Sequence, residues 1–140
     1  MITPVIHFPG TCLEAIRLYE NAFRASGTEI LLYKDAPEDS GMVVTRENAE
    51  LVMHATLTLC GTRFNMSDAM EDHLRAGSMV CFNVFMDSEE EFRHAFDILS
   101  RNGKVLQEIG AQFFSRLYTV IVDQYGIRWQ IMLSEPGNPE

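Results

Sequence analysis

Basic residues are scarce in this chain and lysine is nearly absent. The 140 residues include only Lys34 and Lys104 as lysines and nine arginines spaced singly, against twenty Asp and Glu, for a formal net charge of -9. Nucleic-acid binding relies on clustered Lys and Arg to neutralise phosphates, so no nucleic-acid partner is expected. An anionic membrane surface is disfavoured on the same ground. One or two arginines in a pocket can still receive a small anion, because net charge does not set local potential. Long apolar runs are also lacking. None approaches the ~20 residues of a membrane helix, and the first residues do not carry the basic-then-apolar pattern of a secretion signal. Cysteine is limited to Cys12, Cys60 and Cys81. An odd number without CxxC spacing argues against a disulfide framework or a cysteine zinc site. Three buried thiols in a reducing cytoplasm are the expectation.

What is present fits a folded soluble domain: 46% apolar residues and 22% charged ones. The length suits one domain over 1–140, or two half-size modules sharing a core. Residues 2–8 read as a strand ended by Pro9-Gly10. Thr11 and Glu14 form the pattern of a capping box. Ala15, Ile16, Tyr19, Ala22 and Phe23 recur at helical spacing up to about Arg24. A strand is expected over 29–34, then a polar loop over 35–50. Residues 51–59 alternate, with Met53, Ala55, Leu57 and Leu59 on one side and Val52, His54, Thr56 and Thr58 on the other. Residues 62–67 form the next strand, and 68–77 a polar connection.

The order then restarts. A strand over 79–86 precedes a second capping pair, Ser88 and Glu91, and a helix with Phe92, Ala95, Phe96 and Leu99 as its buried stripe. Strands follow near 104–109, 116–123 and 127–133, and the tail over 134–140 should fray. The restart is visible residue by residue. Thr11/Glu14 and Ser88/Glu91 match at an offset of 77. Gly61-Thr62-Arg63-Phe64-Asn65-Met66 and Gly126-Ile127-Arg128-Trp129-Gln130-Ile131 match at an offset of 65. We read two βαβββ modules, about 2–67 and 79–133, in an α+β fold. One helix leaves the far face of a four-stranded sheet uncovered. Two such sheets are expected to form a cupped mixed sheet around a central cavity, with polar wall residues that bind.

This pattern resembles the vicinal oxygen chelate superfamily, which includes glyoxalase I, extradiol dioxygenases and bleomycin-resistance proteins. The closer resemblance is to its PhnB-like branch, also labelled 3-demethylubiquinone-9 3-methyltransferase-like. The residues that carry it are Ile2-Thr3-Pro4, Met53-His54, Met66-Ser67-Asp68, Phe113-Phe114-Ser115-Arg116 and Asp123-Gln124-Tyr125-Gly126-Ile127-Arg128-Trp129. Two departures stand out. Phe114 and Ser115 replace the last two residues of the branch's Phe-Trp-Gly, and Gln124-Tyr125 replaces Pro-Phe in its Asp-Pro-Phe-Gly. Nothing in the chain looks like the Gly-rich loop that holds a nucleotide-like methyl donor.

Metal-dependent members of the superfamily place one ligand on the first and one on the last strand of each module. The resemblance puts these at Val5 or His7, Asn65, Phe82 or its neighbours, and Gln130. Neutral amides are weak donors beside carboxylates and imidazoles. No metal or other cofactor is therefore favoured; a divalent metal, if bound, would draw on His7, His54 and Gln130. His54 is the candidate catalytic residue, as a general base on the side away from the apolar positions. A structural histidine bonded to a neighbouring strand is the alternative. His73 and His94 read as solvated. Thr56, Asn65 and Gln130 are candidate ligand-binding residues. Arg63 and Arg128 join them by alternation, as receivers of a carboxylate or phosphonate, with strand-end ion pairing as their alternative. Phe114 and Tyr118 are candidates for a cavity mouth, and Asp68 and Asp123 for fixing turns. Three functions follow: a small-molecule-binding protein of the PhnB-like type, a metal-assisted lyase, isomerase or dioxygenase, or a non-catalytic interaction module. The resemblance also implies a homodimer.

Overall fold

The computed structural model describes residues 1–135. The end of the tail expected to fray, 136–140, lies outside the described residues. The chain forms β1 (Val5–Phe8), α1 (Cys12–Phe23), β2 (Ser26–Leu32), β3 (Val52–Leu59), β4 (Thr62–Asp68), β5 (Phe82–Met86), α2 (Glu89–Ser100), β6 (Lys104–Gln112), β7 (Ser115–Val122) and β8 (Arg128–Leu133). It divides into two compact units. One comprises Met1–Glu20 with Arg24–Leu74; the other comprises Asn21–Phe23 with the chain from Arg75 onward.

In the first unit the strand order is β1-β4-β3-β2, with β1 parallel to β4 and the other neighbours antiparallel. Ile6, Phe8, Ala55, Leu57, Phe64 and Met66 share one face and are buried. α1 lies over this face, with the Tyr19 ring 6.5 Å from that of Phe8. Its expected stripe, Ala15, Ile16, Tyr19, Ala22 and Phe23, is buried throughout. The second unit repeats the plan as β5-β8-β7-β6, with β5 parallel to β8. Here α2 packs against β5, β7 and β8 through Phe92, Ala95 and Leu99. Phe96, expected in that stripe, is only half-buried. The two Gly-Arg-aromatic-amide segments take equivalent places. Gly61 and Gly126 both have φ +87 at the turn before the last strand, and Phe64 and Trp129 are both buried.

Several elements differ from expectation. β1 and β5 start later than residues 2 and 79, because pairing begins where a partner exists: Val5 opposite Asn65 and Phe82 opposite Trp129. Met79 and Val80 are consequently exposed. β2 ends at Leu32 rather than residue 34, because Tyr33–Asp35 forms a 3-10 turn, and a second such turn, Glu38–Ser40, lies within the 35–50 segment. Val52 is buried although alternation puts it with exposed His54; the β2–β3 register shifts between Leu31 and Leu32. Ser88 caps α2 as expected, its Oγ accepting from Glu91 N at 3.1 Å. Thr11 makes no side-chain cap bond. Asp68 does that work, its Oδ1 accepting from Cys12 N at 2.9 Å while Oδ2 accepts from Val52 N at 2.9 Å. A carboxylate from β4 thus satisfies a first-turn amide that lacks a helical partner. Of the cysteines only Cys12 is buried. Cys60 is exposed because, with Gly61, it forms the two-residue turn joining β3 to β4, both residues at positive φ.

Candidate ligand-binding faces

Strand alternation sends the remaining side chains to the sheet faces opposite the helices. In the first unit these include Val5, His7, His54, Thr56, Thr58, Arg63, Asn65 and Ser67. Thr56 and Val5 flank Asn65 on adjacent strands, and Thr58 lies beside Arg63. Arg63 Nη2 donates to Thr56 Oγ1 at 2.8 Å, so this arginine lies across the face, with no carboxylate partner among the described residues. His7 Nδ1 bonds Ser67 Oγ at 2.9 Å.

The four histidines separate clearly. His7 is held by Ser67, and His73 stands near Glu71. His94 Nε2 donates to the Asn21 carbonyl at 2.7 Å, so it is bonded rather than simply solvated. His54 is exposed and its ring makes no hydrogen bond among the described residues. Its imidazole is free to meet a ligand. Asn65 and Gln130 are half-buried, and neither amide makes a side-chain hydrogen bond among the described residues.

In the second unit the corresponding face carries Asn83, Phe85, Tyr118, Val120, Val122, Arg128, Gln130 and Met132. Gln130 is flanked by Asn83 and Val120. The Tyr118 ring stands edge-on to Phe114 at 5.1 Å, and Phe114 edge-on to Phe113 at 5.0 Å. Burial pushes the Tyr118 phenol above its ordinary pKa; Cys81 adds to the rise and Arg128 opposes it. Asp123 is buried and holds its turn together. Oδ1 accepts from the Tyr125 and Ile127 amides, and Oδ2 from Trp129 Nε1 at 2.8 Å. Asp68 instead ties the start of α1 to β3 and fixes no turn.

The register shows which residues face each other on the strands where the resemblance implies metal ligands. Opposite Asn65 stands Val5, not His7, which pairs with Ser67. Opposite Gln130 stands Asn83, while Phe82 turns to the helix side against Trp129, with ring centroids 5.3 Å apart. Neither pair, Val5 with Asn65 in the first unit or Asn83 with Gln130 in the second, offers the imidazole, thiolate or carboxylate that a transition metal selects. Among the described residues no three His, Cys, Asp or Glu gather into a metal site. The sequence offered Asn83 only as a neighbour of Phe82 and gave Ser67 no role of its own, because strand partners at long separation leave no local trace. The amide type at Asn83 was the one available hint.

Two βαβββ units, each a four-stranded mixed sheet with a helix on one side, define the glyoxalase/bleomycin-resistance fold of the vicinal oxygen chelate superfamily. Within it the chain belongs to the family described as 3-demethylubiquinone-9 3-methyltransferase, whose sequence model matches residues 1–132. The chain is 30% identical to Protein YjdN of Escherichia coli K12, an alignment covering 93% of this chain and 92% of that protein. A solved PhnB protein from Bacillus cereus, titled a putative 3-demethylubiquinone-9 3-methyltransferase, is 28% identical. Its TM-score is 0.75, with 95% of this chain and 98% of that one covered. Protein PA1353 from Pseudomonas aeruginosa shares the fold at TM-score 0.78 and 24% identity, covering 96% of this chain and 97% of that one. No helix among the described residues is long and apolar enough to cross a membrane.

Proposed function

We propose that this protein binds small organic molecules, with the helix-free sheet face of each unit as a binding surface. The contacting residues are His54, Thr56, Arg63 and Asn65 in the first unit, and Phe114, Tyr118, Arg128 and Gln130 in the second. One observation carries this reading. At repeat-equivalent positions, Asn65 and Gln130 hold half-buried amides whose hydrogen-bonding capacity is unspent. Both amides remain open to solvent, so their donors and acceptors are available to a ligand. Neighbouring apolar side chains, Val5 and Val120, supply the contact area a small molecule needs. If turnover accompanies binding, His54 is the proton-transfer residue, since its ring is unengaged. Assembly as a homodimer and a cytoplasmic location, where the exposed Cys60 thiol stays reduced, belong to the same reading.

Methyl transfer, which the family's description names, finds little support in this chain. The strand-to-helix turn is Pro9-Gly10-Thr11, and each sheet is mixed, unlike the doubly wound sheet that carries nucleotide-like donors. The test is a ligand-observed NMR screen of small polar compounds against the purified protein. Hits should weaken about tenfold or more in His54→Ala, Asn65→Ala or Gln130→Ala, in line with the loss of a ligand hydrogen bond. Hits indifferent to all three substitutions would refute it.

A further inference from the structure

We infer that the second unit holds a docking site for the oxyanion of the bound molecule, a phosphate, phosphonate or carboxylate, between Lys104 and Arg128. The inference rests on the small-molecule reading and gives that ligand a charge. Lys104 pairs with Val122 across β6 and β7, and Val122 with Arg128 across β7 and β8. The three residues therefore stand in one row on the helix-free face, the Cα atoms of Lys104 and Arg128 about 10 Å apart at two strand spacings, a gap that their long side chains can close from both sides. Both line a cleft of about 500 Å³, together with Ser78, Leu106, Val122 and Gln124. That volume suits a small ligand.

The charge pattern points to an anion. The chain has twenty carboxylate residues for eleven cationic ones. Arg17, Lys34, Arg93 and Arg116 all pair with Glu residues. Lys104 and Arg128 make no ion pair among the described residues, yet they converge on one cleft. Arg128 is also poorly satisfied. Its Nη1 reaches the Ser78 carbonyl only at 3.5 Å, and its Nε is buried without a partner. A guanidinium has five donors in a planar fork suited to an oxyanion. Asp123 shares the cleft lining, but its oxygens are taken by the Tyr125 and Ile127 amides and the Trp129 indole. Leu106 and Val122 give the body of the ligand an apolar floor.

The probe is phenyl phosphate, titrated calorimetrically into the full chain beside phenol and inorganic phosphate. Phenyl phosphate should bind one site, more tightly than phenol, and weaken as salt is raised. Lys104→Gln and Arg128→Gln should each weaken it about tenfold or more, as loss of a charge-assisted contact requires. Lys104→Glu, at an exposed position, should abolish binding while the far-UV circular dichroism is unchanged. Phenyl phosphate binding that both lysine substitutions leave within about twofold overturns the anion site, as does no binding up to about 10 mM. If neutral compounds then still bind and respond to Asn65→Ala, the small-molecule reading survives and only the oxyanion assignment falls.

Discussion

Replacing Asp68 tests the internal wiring of the first unit most directly. The residue is 7% exposed, and each of its oxygens accepts one backbone amide at 2.9 Å, Cys12 N at the start of α1 and Val52 N at the start of β3. Asp68→Ala leaves both buried donors without a partner. Each such loss costs about 1–3 kcal/mol, so the sum is about 2–6 kcal/mol. Asp68→Asn keeps one acceptor oxygen and turns an NH2 toward the other amide, which should cost about half as much. At about 3 °C per kcal/mol for a chain of this size, Asp68→Ala should lower Tm by roughly 6–18 °C. Asp68→Asn should fall between it and the parent. Scanning calorimetry of the three proteins reads this. A shift of less than about 2 °C for both variants would refute the account, because two orphaned buried amides cannot be that cheap.

Three further outcomes follow from particular geometry. Ser88→Ala should destabilise by about 1 kcal/mol, the usual worth of a helix cap, whereas Thr11→Ala should stay within about 0.5 kcal/mol because its side chain caps nothing; paired urea titrations decide. Gly61→Ala should cost about 1 kcal/mol for its positive φ alone. Gly126→Ala should cost clearly more, since an added Cβ there lies 2.6 Å from the Ala76 Cβ while Gly61 has open space around it; equal costs would contradict this packing. The Cys12 thiol is pushed up from 9.0 to about 12 by burial and then by the Asp68 charge. The unfolded chain releases that proton first, so the contribution is complete below about pH 9 and is lost as pH rises toward 12. Urea midpoints of Cys12→Ala, followed from about pH 8 to 10.5, should therefore fall less steeply than those of the parent.

Much of the fold was legible because its signals are local. The stripe from Ala15 to Phe23 and the alternation of Ala55, Leu57 and Leu59 report burial through spacing alone. The matched segments at Arg63 and Arg128 announced the repeat, and they occupy equivalent strands with equivalent turns. Alternation from Asn65 and Gln130 was enough to place both arginines on the helix-free faces. The rest depended on partners far apart in the chain. Thr11 has the right residue type for a cap, but a buried carboxylate 56 residues on from Cys12 took its role. The strand opposite Gln130 offered Phe82 or a neighbour, and only the β5–β8 register selects Asn83.

By itself the sequence determined the order of elements, the two-fold repetition and which face of each helix and strand is apolar, since those follow from periodicities within ten or so residues. Tertiary structure alone decided where each strand begins to pair, why Val52 turns inward, and how Lys104, Val122 and Arg128 come to stand in one row. Such matters are settled by hydrogen-bond register between distant segments, which no local spacing encodes.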